Sequence, residues 1–137
     1  NTMFDLAKTN ISELSEVGHR FELVLPEVNK PTGAFVTVRG DNSKTVKDFA
    51  RKQYEALQAK AKQARRRNKD PEDMSLQEAE DMAVESAYVR LIGWEGIGEK
   101  GKLLEFNEEN AKRILKEHTW IRQAVLDEAG LLANFVD

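Results

Sequence analysis

Two β-rich runs lie close together near the N-terminus, and the long segments that follow them have helical periodicity. The first run, "HRFELVLP" at residues 19–26, alternates apolar and polar side chains, and the second, "TGAFVTVRG" at residues 32–40, is bounded by glycines. The connection "EVNKPT" contains good turn residues, which favours an antiparallel pair. Because two strands alone are only marginally stable in water, we expect helices to cover one face of the pair.

The first long helix is predicted from Ser43 or Thr45, as alternative N-caps, to about residue 67. Its apolar positions follow one helical stripe. They are Val46, Phe49, Ala50, Tyr54, Leu57, Ala61 and Ala64. The stripe becomes alanine towards its end, so we expect the last turns to bury little and to project into solvent.

Three further helices are predicted from capping signals. Ser75 and Glu78 have capping-box spacing and open a second helix that continues through Leu91 and stops at Gly93. Asn107 is the expected cap of a third helix and Thr119 that of a last one. We therefore predict a mainly helical α+β fold, a single domain over residues 1–137, with strands at about 19–40 and a helical region of about four helices at about 43–136.

A glycine-rich joint, "GWEGIGEKGKLLEFNEENAKRIL" at residues 93–115, separates the last two helices from the rest. Its glycines allow backbone angles that other residues avoid, so we predict a shaped loop, with a short strand at 102–106 as an option. Large apolar residues are usually buried, and we expect four of them to anchor this loop on the core. They are Trp94, Ile97, Leu103 and Phe106. For Trp94, a place in a partner-binding surface is the alternative.

Charge is strongly polarised along the chain although the net charge is only −3. Residues 44–69 contain ten basic and two acidic side chains, whereas residues 70–85 contain seven carboxylates and no basic residue. We expect the two segments to fold back as a hairpin whose charges are mostly satisfied, which would leave an apolar partner surface. The alternative is a nucleic-acid site on the basic helix at 44–69, centred on Arg65, Arg66 and Arg67, and the lack of interleaved aromatic residues disfavours it.

No catalytic or metal-binding pattern is evident. The chain has no cysteine, and its two histidines, His19 and His118, have no partner at ligand spacing. The "GIGEKG" segment lacks the lysine followed by serine or threonine of a nucleotide-binding loop. No apolar run is long enough to span a bilayer. We therefore expect a soluble, intracellular protein that is not an enzyme and needs no metal or cofactor.

The order of three motifs carries a family resemblance over residues 89–136. "VRLIGWEGI", "LLEFNEENAKRIL" and "WIRQAVLDEA" follow one another here as a helix end with a tryptophan, an Asn-Ala helix and a last helix. This order resembles the C-terminal half of tail assembly chaperones from long-tailed bacteriophages, most closely those of lambda-like siphophages. The strand region and the lysine-rich helix fit the same family pattern less specifically.

The resemblance implies a non-enzymatic role. Such chaperones bind the tape measure protein in the host cell cytoplasm, help to recruit tail tube subunits and are absent from the mature virion. A longer form made by programmed frameshift engages the tail tube protein in many members, and this chain is similar to the shorter form or to the N-terminal part that both forms share. Copies that cover a long partner benefit from self-association, and we expect a homo-oligomer through an apolar chain end. That end comprises Leu131, Leu132, Phe135 and Val136.

Overall fold

A computed structural model describes residues 2–136 and shows a mainly helical α+β chain, with 52% of residues in helices. The helices are α1 (Ile11–Val17), α2 (Lys44–Arg66), α3 (Leu76–Arg90), α4 (Glu108–Glu117), α5 (Thr119–Ala129) and a 3-10 helix (Leu132–Phe135). The strands are β1 (His19–Leu25), β2 (Lys30–Val38), β3 (Leu91–Glu95), β4 (Gly98–Glu99) and β5 (Lys102–Leu103). The predicted fold class is confirmed.

The N-terminal strand pair is antiparallel, as predicted. His19 pairs with Val38 at one end and Leu25 with Lys30 at the other, and the register shifts between Glu22 and Val24. Alternation along the strands directs one set of side chains to the core. The buried members of this set are Leu23, Ala34, Val36 and Val38.

A third strand replaces the predicted end of the second helix. That helix stops at Arg90 and not at Gly93, and β3 pairs antiparallel with β2, so that Thr37 lies opposite Gly93. The backbone N–H of Arg39 donates to the carbonyl of Arg90, and its guanidinium donates to the carbonyls of Val89 and Leu91. The free edge of β2 offers unpaired backbone N–H and C=O groups to residues 91–95, and the periodicity of the sequence does not show this. The sheet order is therefore β1-β2-β3.

Helices α3, α4 and α5 supply the rest of the core. Their buried apolar residues form one cluster with the sheet. From the helices these are Val84, Ala87, Ala111, Ile114, Leu115, Ile121 and Val125. Asn107 caps α4 as predicted, with its side-chain oxygen accepting from the N–H of Asn110 at 2.8 Å. The predicted cap at Thr119 is wrong, because His118 occupies the N-cap position of α5 and forms no side-chain capping bond.

Helix α1 was not predicted and closes the N-terminal side of the fold. Asn10 caps it by accepting from the N–H of Glu13. Its Glu16 carboxylate then accepts from the N–H of Thr45 at 2.7 Å and from Arg39 at 3.3 Å. This carboxylate supplies negative charge to the start of α2, whose own first turn has none.

Candidate partner-binding surfaces

Helix α2 starts as predicted at the Ser43 cap, whose hydroxyl accepts from the N–H of Val46. Beyond that first turn the helix is largely exposed, and Val46 is its one fully buried residue. Tyr54 is 63% exposed and Leu57 51% exposed, so the predicted inward stripe does not reach the core here. The last turns of α2 project into solvent, as predicted. The exposed part already includes Tyr54 and Leu57, before the stripe changes to alanine.

The expected hairpin between the basic and the acidic segments is not formed as predicted. Within residues 2–136 no ion pair joins α2 to α3. Two acidic side chains of α3 pair with α4 instead, with the carboxylate of Glu85 at 2.7 Å from the Lys112 ammonium and that of Glu80 at 3.8 Å from the Lys116 ammonium. The Glu85 hydrogen bond raises the pKa of Lys112. Helix α3 packs against α4 and α5 in the core, and that packing decides which cations its carboxylates meet.

The outer half of α2 consequently retains its positive charge. Six basic residues in the outer half of α2 and just after it form no ion pair within the described part of the chain. They are Lys60, Lys62, Arg65, Arg66, Arg67 and Lys69. Asp70 and Glu72 line a shallow hollow together with Lys60 and Arg67, but neither carboxylate lies within 4.0 Å of a basic nitrogen of residues 2–136. Arg65, Arg66 and Arg67 are all exposed.

The chain end presents a smaller apolar patch than the sequence predicted. Leu131, Leu132 and Val136 are 51%, 52% and 42% exposed. Phe135, expected to share this surface, is 4% exposed and lies edge-on to the His19 ring, with centroids 6.1 Å apart. The 3-10 helix turns its side chain inward towards Gly40, which the local sequence does not indicate. Phe135 is therefore a core residue within the chain.

Trp94 lies on β3, where it holds the following hairpin to the sheet. Its indole N–H donates to the carbonyl of Leu104 at 2.9 Å, and its ring meets Phe106 edge-on at 4.9 Å between centroids. Ile97 also packs against the core, as expected, whereas Leu103 is 81% exposed and does not anchor the joint. The predicted loop is thus a strand followed by the β4–β5 hairpin.

An apolar hollow of about 320 Å³ lies between the sheet, this hairpin and the junction of α4 and α5. Ile97 and Trp120 line it, and His118 and Glu99 also contribute. Arg113 donates two hydrogen bonds to Glu99, at 2.8 and 2.9 Å, and these bonds lower the pKa of that carboxyl. Glu99 is thereby kept ionised as a structural partner. No sequence pattern indicates this hollow, because its walls come from elements far apart in the chain.

Within residues 2–136, no group of three or more histidine, cysteine, aspartate and glutamate side chains could hold a metal ion. His19 lies 3.9 Å from Glu128 and stacks with Phe21, as a packed histidine does. No helix in the same range is both long and apolar enough to cross a membrane.

The model of the YdaY prophage protein family matches residues 44–137. Because the match covers most of the chain, the protein belongs to this family and is phage-derived. The matched region begins at the first residue of α2 and includes β3 and α3–α5. Comparisons with curated proteins and with solved structures gave no match.

Proposed function

We propose that this YdaY-family protein is a non-catalytic tail assembly chaperone that binds the tape measure protein in the host cell cytoplasm and is absent from the mature virion. Its phage origin and the resemblance over residues 89–136 support the proposal. The observation that carries it is the exposed apolar stripe of α2. A tape measure protein is a long helical chain, and helices commonly bind helices by pairing apolar stripes.

The length of α2 suits such a role. A helix of 23 residues is about 35 Å long, and most of that length is free of contacts with the core. The sheet and helices α3–α5 bury the core without the outer part of α2, so a partner could bind there without unfolding the chain. Recruitment of the tail tube protein, through a longer frameshifted product, belongs to the same proposal.

Co-expression tests this function directly. The tape measure protein encoded by the same prophage is produced with and without this chain, and its soluble fraction and co-purification are measured. We expect the chain to raise the soluble fraction several-fold and to co-purify with its partner. A tape measure protein that remains equally insoluble, with no co-purification, would contradict the proposal.

Nucleic-acid binding is a second candidate, because the basic residues at 60–69 lack ion pairs within the described residues. Titration of a DNA duplex at several salt concentrations separates the two functions. A nucleic-acid protein would bind with a steep salt dependence, and replacing Arg65, Arg66 and Arg67 by glutamine would reduce the logarithmic slope by about 3 if each contacts a phosphate. The chaperone proposal expects no measurable duplex binding at physiological salt.

A further inference from the structure

Five apolar residues of α2 beyond its first turn have the spacing of a coiled-coil seam. Residues 50, 54, 57, 61 and 64 are separated alternately by four and three positions, as are the a and d positions of a heptad. Tyr54 and Leu57 are the large members, whereas Ala61 and Ala64 are small and half-buried. A seam of this kind does not stabilise an isolated helix in water, because the stabilisation comes from burying the seam against a partner.

The residues that flank the seam carry only positive or neutral side chains. Arg51, Gln58 and Arg65 follow on one side, and Gln53, Lys60 and Arg67 on the other. Arg51 is partly neutralised by Asp48 and Glu55 within the helix, at 3.6 and 3.8 Å. Nearer the end of the helix, no carboxylate among residues 2–136 forms an ion pair with Lys60, Arg65 or Arg67. Flanking charges determine which helices pair, so a second α2 would meet like charges along both sides.

The chain's own acidic segment borders only the last turn of this seam, where Asp70, Pro71 and Glu72 line a hollow with Ala64. Glu80 and Glu85 point to α4, and the seam residue Leu57 remains half exposed. A nucleic-acid ligand would use the positive charge and leave Leu57, Ala61 and Ala64 without a role, because phosphates bind cations and hydrogen-bond donors and not aliphatic side chains. A seam bordered by cations therefore fits an acidic amphipathic helix better than it fits DNA or a second copy.

We propose that α2 docks an acidic amphipathic helix of a partner protein along this seam. The partner helix has apolar residues at its own a and d positions and glutamates or aspartates beside them. Small residues face Tyr54 and Leu57, and large residues fill the space above Ala61 and Ala64, so that the paired seam is filled at both ends. This inference rests on the proposed function in that it takes the partner to be a helical protein, and it adds the chemistry that the partner surface must have.

The probe is a synthetic acidic peptide of about four heptads with glutamate at e and g. It has alanine at the two core positions that face Tyr54 and Leu57 and leucine at its other a and d positions. Such a peptide is poorly helical alone at neutral pH because its glutamates repel one another. We expect it to bind the full chain with micromolar affinity and to gain helical circular dichroism on binding. A peptide with lysine in place of every glutamate should not bind.

Two variants of the full chain locate the binding face. Leu57→Glu places a carboxylate in the seam, and Ala59→Glu places the same group on the opposite side of the same exposed helix. We expect the first to weaken peptide binding at least about tenfold and the second less than about threefold, since a coiled-coil seam position excludes charge. Unchanged circular dichroism melts of both variants establish that the fold is intact, as expected for exposed positions.

Four results would overturn the inference. The first is that the acidic peptide does not bind, and the second is that both variants lose peptide affinity equally. The third is that a DNA duplex displaces the peptide at physiological salt. The fourth is that the full chain forms a dimer that Leu57→Glu dissociates and Ala59→Glu does not. The function and the inference fail separately. If the Leu57→Glu variant still solubilises the tape measure protein, the chaperone function is supported but α2 is not the binding site. If the peptide binds but the tape measure protein does not, the docking site on α2 is supported and the chaperone function is contradicted.

Discussion

Gly40 lies where α1, the end of β2 and the 3-10 helix meet, and it leaves no space for a side chain. A Cβ at this position would lie 2.7 Å from the Ser15 hydroxyl and 2.9 Å from the Phe135 ring. Both neighbours are buried, and the Gly40 N–H donates to the carbonyl of Ser15 at 3.0 Å. The close approach of these three segments therefore requires glycine.

Gly40→Ala should lower the free energy of unfolding by about 1–3 kcal/mol, because the added methyl group forces rigid buried neighbours apart. Gly93→Ala is the matched control, since a Cβ there would meet nothing within 4 Å. The control should be neutral or slightly stabilising. Urea denaturation of both variants measures the difference, and equal effects would contradict a tightly packed Gly40.

Glu16 makes the stability of the α1–α2 junction depend on pH. Hydrogen bonds from the side chain and backbone of Thr45 lower the pKa of Glu16 below its ordinary value of 4.5, and Arg39 adds to the effect. A lowered pKa in the folded chain means that the ionised form stabilises the fold above the unfolded value. This contribution is lost as the pH falls below about 4.5 and through the folded pKa.

Glu16→Gln should therefore lower the free energy of unfolding by about 1 kcal/mol at neutral pH. This value allows for the solvent screening of a side chain that is about one-third exposed. The difference from the wild type should stay constant above about pH 5 and shrink at lower pH. Glu13→Gln on the same helix is the control, because the Glu13 side chain forms no ion pair within the described residues. A pH-independent difference for Glu16→Gln would exclude this role.

At the scale of elements, the sheet and the β4–β5 hairpin are joined through Trp94. Trp94→Phe removes the hydrogen bond from the indole N–H to the Leu104 carbonyl and reduces the ring contact with Phe106. We expect a loss of about 1–2 kcal/mol in the free energy of unfolding. Leu103→Ala, in the same hairpin but 81% exposed, should change it by less than about 0.5 kcal/mol. Chemical denaturation with tryptophan fluorescence from Trp120 follows both variants.

At the scale of the whole molecule, the apolar chain end remains the predicted surface for self-association. Leu132→Asp should shift the mass measured by light scattering towards the monomer at tens of micromolar, since it places charge in an exposed apolar patch. Leu103→Asp introduces the same charge at another exposed leucine and should leave the mass unchanged. Phe135 is unsuitable for this test because it is buried. A wild-type chain that is strictly monomeric would contradict the prediction.

Much of the element order was predictable because its signals are local. The caps at Ser43, Ser75 and Asn107 each accept a hydrogen bond from an N–H three residues along the chain, so a short stretch of sequence contains both partners. Alternation likewise placed β1 and β2. The candidate seam of α2 was visible as a stripe, and the charges beside it could be counted.

Contacts between distant segments could be decided only by the tertiary structure. β3 forms because β2 offers a free edge more than fifty residues earlier, and residues 91–95 also fit the end of a helix. Phe135 is buried because Gly40 leaves room for its ring, whereas Leu57 is exposed because no helix of the described chain covers it. Periodicity shows that a residue needs an apolar neighbour, and only the packed chain determines whether that neighbour belongs to the same molecule.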